Sequence, residues 1–149
     1  MLDRDPLWTP EQRLIAAILI GAYRDVLTDI ESRSESWADS APVQQNDVDR
    51  AIRFLTDRSG PAARLRNHYC DLVGIDGDVL AERMRRMLDG DLPMPHIAYE
   101  VPSNPESRKR ALARHAERVA YARARWFHLN QPTSTSRARS VRSTATVIL

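Results

Sequence analysis

The stretch with the most specific chemistry is Asn67-His68-Tyr69-Cys70-Asp71-Leu72-Val73-Gly74-Ile75-Asp76-Gly77-Asp78-Val79-Leu80-Ala81-Glu82-Arg83-Met84-Arg85-Arg86. It predicts a helix, a short turn around Gly74 and a second helix ending in paired arginines, the outline of a helix-turn-helix. Such a corner needs a small or apolar residue in its first helix, a glycine at the turn, an apolar residue just after it and apolar anchors in its second helix. Cys70, Gly74, Ile75, Leu80 and Met84 have those types at suitable spacing. If the corner meets a duplex, the outer face of the second helix lies in the major groove. Asp78, Glu82, Arg83, Arg85 and Arg86 are then the candidates for base readout, because arginine forks onto guanine and a carboxylate accepts from cytosine N4. Arg64, Arg66 and His68 on the first helix are candidate phosphate contacts. The same spacing also suits a structural αα-corner with a solvated outer face and i,i+4 pairs such as Glu82–Arg86.

A second cluster follows at Ser107–Arg125. Arg108, Lys109, Arg110, Arg114, Arg118, Arg123 and Arg125 are opposed within it only by Glu117. Phosphate contacts by several of these would give affinity without sequence reading, falling steeply with salt. An ordinary solvated helix, or one that docks on an acidic protein surface, stays open beside that reading. Charge is unevenly spread. Residues 1–60 hold seven arginines against eleven Asp/Glu, while residues 91–149 hold ten Arg/Lys against four acids. The total is only +2, yet the isoelectric point is about 9.0. An acidic front and a basic back imply an anionic partner for the back half. Lys109 is the only lysine, a bias that suits phosphate and guanine recognition but that a GC-rich genome also produces.

Catalytic chemistry finds little support. The chain has no Gly-rich phosphate loop, no GxSxG and no HExxH. His68, His96, His115 and His128 share no ligand spacing, and His68 and Cys70, two apart on a helix, diverge. Cys70 is the single cysteine, which forbids an intramolecular disulfide and argues against a zinc cluster. No enzyme, cofactor or metal is therefore expected. The start Met1-Leu2-Asp3-Arg4-Asp5 lacks the pattern of a signal peptide, and the apolar run Leu14 to Ile20 is too short to span a bilayer. A cytoplasmic protein without membrane contact is the expectation.

The elements that must position these residues are helical. Thr9-Pro10-Glu11-Gln12 starts a helix over roughly 10–31, with a capping box and a proline at the first position. Its stripe of Leu14, Ile15, Ile18, Leu19, Ala22, Tyr23, Val26, Leu27 and Ile30 is wide enough for two neighbours. Glu31–Gln45 reads as a polar linker, and Asn46-Asp47 as the cap of a second helix to about Asp57. Ser59-Gly60-Pro61 separates it from a third helix, 61–73, with Ala62, Leu65, Tyr69, Leu72 and Val73 inward and Arg64, Arg66 and His68 outward. Gly74 ends that helix, Ile75 plugs the turn, and Asp76 caps a fourth helix with Val79, Leu80, Met84, Met87 and Leu88 inward. Residues 91–104, with Pro93, Pro95 and Pro102, are an extended linker with room for a short strand near Ile97–Val101. A basic helix, 105–130, partly independent of the core, and a disordered tail, 131–149, complete the chain.

The block Ala51-Ile52-x-Phe54-Leu55, then Tyr69-Cys70-Asp71-Leu72-Val73-Gly74-Ile75-Asp76, then Leu80-x-x-Arg83 resembles small proteins of alphaproteobacterial prophages and gene transfer agents. The resemblance covers roughly residues 10–90. It implies a helix-turn-helix DNA binder tied to the regulation of phage-like gene clusters. Gly77-Asp78 departs from that pattern, where a better helix former is more usual, and predicts a looser first turn of the fourth helix. Together these readings predict an all-α protein with a helix-turn-helix-like domain at 9–90. Its expected role is non-enzymatic duplex DNA binding as a transcriptional regulator, with the transcription machinery or a second copy as further partners. A small-terminase-like packaging subunit and a helical adaptor for an acidic protein surface are the alternatives.

Overall fold

The computed structural model describes residues 8–27, 41–97 and 101–132. Among them are five α-helices and no strand: α1 (Pro10–Val26), α2 (Ala41–Thr56), α3 (Pro61–Leu72), α4 (Gly77–Asp89) and α5 (Pro105–Leu129). The all-α class is as the sequence predicts. The expected tail lies outside the described residues from 133 on, as do 28–40 of the first linker and most of the short strand near Ile97–Val101.

α1 starts where its sequence says. The Thr9 amide donates to Gln12 Oε1 at 2.9 Å, and the Gln12 amide donates to Thr9 Oγ1 at 3.2 Å, so two N-terminal donors are satisfied reciprocally. Its stripe is narrower than expected. Leu19, Val26 and Leu27 are buried, and Ile15, Ala22 and Tyr23 partly so, but Leu14 is 64% exposed and Ile18 and Ile20 also face outward. Among the described residues α1 ends at Val26, and its expected last turn falls outside them.

α2 begins at Ala41 rather than at the expected cap. Asn46 and Asp47 therefore lie inside the helix, and Pro42 sits in its first turn, where a missing N–H is harmless. Val48, Ala51, Ile52 and Leu55 are buried as expected. α2 touches all four other helices and is the centre of the bundle.

The corner between α3 and α4 is set by local chemistry. Gly74 has φ 77°; its amide donates to Asp71 O at 3.2 Å, and the Ile75 amide donates to Cys70 O at 2.9 Å. This is a Schellman stop, which needs a left-handed residue and favours glycine. Asp76 then caps α4 by accepting from the amides of Asp78 (2.9 Å) and Val79 (3.2 Å). The looser first turn expected from Gly77 is not found. A Cβ at Gly77 would meet Asn67 Oδ1 at 2.1 Å and Asn67 Cα at 2.9 Å. Glycine here lets the start of α4 close against α3.

Two apolar clusters result. The larger joins Val26, Val48, Ile52 and Leu55 to Met84, Leu88, Met94, Val119, Ala122 and Trp126. The smaller joins Leu19, Cys70 and Val73, with Phe54 and Leu80 packed against it. Burial pushes the Cys70 thiol up, as suits a small core residue. Ile75 and Val79, expected inward, are exposed, Val79 by 62%. They fall on the outer side of the turn because Val73 and Leu80 already fill its inner side. α5 is not independent of the core: Val119, Ala122 and Trp126 belong to it, while the turns before them stand mostly in solvent.

Gly77→Ala should destabilise the fold by about 1–3 kcal/mol through overpacking, read from the urea midpoint of unfolding. An unchanged midpoint would refute the close approach.

Candidate nucleic-acid interface

The outward face of α4 carries Asp78, Val79, Glu82, Arg83 and Arg86, all exposed. It is not a bare row of charges. Glu82 is gripped side-on by Arg58, whose Nε donates to Oε1 at 2.7 Å and whose Nη2 donates to Oε2 at 3.1 Å. These hydrogen bonds hold the Glu82 carboxyl below its usual range. Arg58 sits in the α2–α3 loop, outside any helical period, so no pattern in the sequence singled it out. Glu82 engages the Nε edge of its guanidinium, leaving the Nη1/Nη2 end free to donate elsewhere. Asp78 is held too, accepting from Asn67 Nδ2 at 3.0 Å. Arg83 and Arg86 make no ion pair with a described residue.

Arg85, expected on this face, is turned into the protein. Its Nε donates to Thr56 O at 2.8 Å, and its guanidinium lies 5.2 Å from the centre of the Trp126 ring, a cation–π distance. It is spoken for by α2 and α5 and is a poor base reader.

On α3, Arg64 and His68 are exposed as expected, but Arg66 is fully buried. Its Nη1 donates to Phe54 O at 3.1 Å and Asp57 O at 2.7 Å, and its Nε donates to Asn67 Oδ1 at 3.1 Å. Desolvation pulls its pKa down from the ordinary arginine value. Arg66 therefore cannot serve as a phosphate contact. Leu65 and Leu72, expected inward, are exposed. The register of α3 is rotated from the expected one, so that Ala63, Arg66 and Cys70 face inward at i, i+3, i+7.

The basic residues of α5 divide by position. Arg108, Lys109, Arg110 and Arg114 are exposed and paired with no described residue. Further along, Arg123 donates to Met87 O at 3.1 Å and to Leu92 O at 3.2 Å. Arg125 forks onto Asp49 of α2 at 2.9 and 2.8 Å, and that hydrogen bonding raises its pKa. Trp126 Nε1 donates to Asp89 Oδ1 at 2.7 Å. Arg123 and Arg125, both expected to contact phosphate, fasten α5 to the bundle instead. Arg118, partly buried, is also engaged.

The linker after α4 follows the same logic. Met94 is buried, His115 Nε2 bonds Met94 O at 2.8 Å, and the Tyr23 hydroxyl donates to Pro95 O. Burial pushes the Tyr23 phenol up to about 12, so it remains a donor. These contacts bring His96 onto His115, with ring centres 3.7 Å apart and planes at 33°, a pairing that nineteen residues of separation hid from the sequence.

Among the described residues no group of three or more His, Cys, Asp or Glu side chains is placed to hold a metal ion. No described helix is long and apolar enough to cross a membrane. Comparison with protein-family models, curated proteins and solved structures gave no match.

Arg66→Ala would strip donors from two partly buried carbonyls, at about 1–3 kcal/mol each. It should lower the melting temperature by several degrees, whereas Arg64→Ala should leave it unchanged. Equal melting of the two variants would count against the structural role of Arg66.

Proposed function

We propose that the protein binds double-stranded DNA through the α3–α4 corner and acts as a cytoplasmic transcriptional regulator of the phage-related kind that its sequence resembles. The carrying observation is the outward face of α4. The Gly74 stop and the Asn67–Gly77 contact fix its angle, and it presents Arg83, Arg86 and the Glu82-tethered Arg58 to solvent. A guanidinium already held by a carboxylate gives up less rotamer freedom when it forks onto a guanine edge than a free one does.

The face itself is nearly neutral, since Asp78, Glu82 and Asp89 offset its arginines. Attraction to phosphate therefore falls to Arg64, His68 and the free first half of α5, from Arg108 to Arg114. In this reading α4 selects among sequences and α5 supplies salt-sensitive affinity.

Fluorescence anisotropy with duplex fragments tests both halves. Arg83→Ala with Arg86→Ala should weaken binding to the preferred fragment by about 30-fold or more, at roughly 1–3 kcal/mol for each base-reading arginine removed, and should narrow its advantage over bulk DNA. Replacing Arg108, Lys109, Arg110 and Arg114 by alanine should weaken binding to all sequences alike and lower the salt slope by about 0.9 for each phosphate no longer neutralised. Unchanged affinity in the Arg83/Arg86 double variant would remove α4 as the reader.

A further inference from the structure

The His96–His115 pair takes no part in the corner, and its chemistry is unlike that of the surrounding arginines. His115 lies on α5 seven residues after Arg108, so the two share one face of the helix. A carbonyl only accepts, so the 2.8 Å bond to Met94 O fixes the proton of neutral His115 on Nε2. Nδ1 is then the position that a second proton would take. His96 is stacked on this ring and exposed to solvent.

The Arg108 guanidinium acts on the pair electrostatically. On the same helix Arg118 follows a turn beyond His115. From α1 the Tyr23 hydroxyl reaches the same linker and is bound to Pro95 O. The carboxylates of α5, Glu106 and Glu117, sit about 160° and 180° around the helix from Arg108 at about 100° per residue. With no carboxylate of α5 on this face, desolvation, the His115 ring and Arg108 together hold His96 below the ordinary histidine value. Two stacked imidazoliums beside an arginine are unstable alone and become stable when an anion stands among them.

We propose that His96, His115 and Arg108 form a phosphate site that takes up protons when a phosphate group binds. The sign follows directly. The empty site disfavours a charged His96 and an anion among the rings favours it, so binding takes up protons. Affinity then rises as pH falls through the histidine range and levels off once the free site is itself protonated. One proton taken up gives at most about a tenfold gain per pH unit. The phosphate can belong to the DNA backbone, in which case the site rests on the function proposed above, or to a free phosphate compound, in which case it does not.

The experiment uses the full chain at fixed salt between about pH 8 and about pH 5.5, either side of the ordinary histidine value. Anisotropy with a short duplex should show affinity rising toward acid. His96→Gln and His115→Gln should each flatten that rise by up to about tenfold per pH unit, with His128→Gln leaving it intact. His115→Gln keeps an amide donor for Met94 O, so circular dichroism should show both variants folded. Equal pH slopes in wild type, His96→Gln and His115→Gln would overturn the proposal while leaving DNA binding standing. If the chain binds no duplex at any pH, the DNA reading fails, and NMR titration of the histidine rings with inorganic phosphate and with pyrophosphate decides. A rise in the pKa of His96 and His115 alone establishes the site with free phosphate as its source. No rise with either anion overturns it.

Discussion

The C-terminus of α2 ends inside the molecule, and its last carbonyls have no partners within the helix. Two arginines from later in the chain supply the donors. Arg66 of α3 reaches Phe54 O and Asp57 O, and Arg85 of α4 reaches Thr56 O. Each also sets a cation at the negative end of the α2 dipole. Because the donors sit on the two limbs of the corner, satisfying these carbonyls also fixes where both limbs lie. The chain of bonds continues from Arg66 to Asn67 and on to Asp78, at the point where Gly77 lets α4 close against α3. The end of α4 is treated in the same way, since Arg123 of α5 takes Met87 O and Leu92 O.

This use of arginine explains what the sequence revealed and what it hid. Helix starts and stops were legible wherever the deciding bond is local: the Thr9–Gln12 box, Gly74 and Asp76. The start of α2 was not. Asn46-Asp47 imitates a cap, while α2 starts at Ala41 with Pro42 in its first turn, much as Pro10, Pro61 and Pro105 open α1, α3 and α5. The arginines were harder still. A planar fork of N–H donors fits a phosphate and the carbonyls at a helix end equally well. Residue type therefore could not separate Arg66, Arg85, Arg123 and Arg125, which hold the fold, from Arg83, Arg86 and Arg108, which face solvent. The distinction lies in long-range packing. The rotated register of α3, with Ala63, Arg66 and Cys70 inward, has no signature in apolar periodicity because one of its three buried positions is the most polar side chain available.

The exposed apolar residues follow from the same packing. α2 and α3 cover one side of α1, and Leu14, Ile18 and Ile20 are left on its other sides. Val79 and Ile75 stand at the outer edge of the corner because Cys70, Val73 and Leu80 already complete its inner edge. Val79 thus lies among Glu82, Arg83 and Arg86, giving the α4 face an apolar element of the kind that can meet a thymine methyl.

Whether the basic helix acts as a tethered arm or as part of the bundle is decided at its second half. Trp126 is buried, its indole nitrogen is bound to Asp89 in the last turn of α4, and Arg85 of α4 lies over its ring. Arg125 adds a partly buried pair to Asp49, the kind of ion pair whose removal on one side leaves an uncompensated charge. The intervening linker is pinned through Met94, Pro95 and Leu92. The described linker residues from Leu92 to Pro95 are therefore held against the bundle. The cations of the first half project from a helix whose other half is locked to the same α4 that carries Arg83 and Arg86. A partner that met both sets would then need little further ordering of the backbone. That is the condition under which four or five weak electrostatic contacts add to a directional one instead of being spent on immobilising an arm.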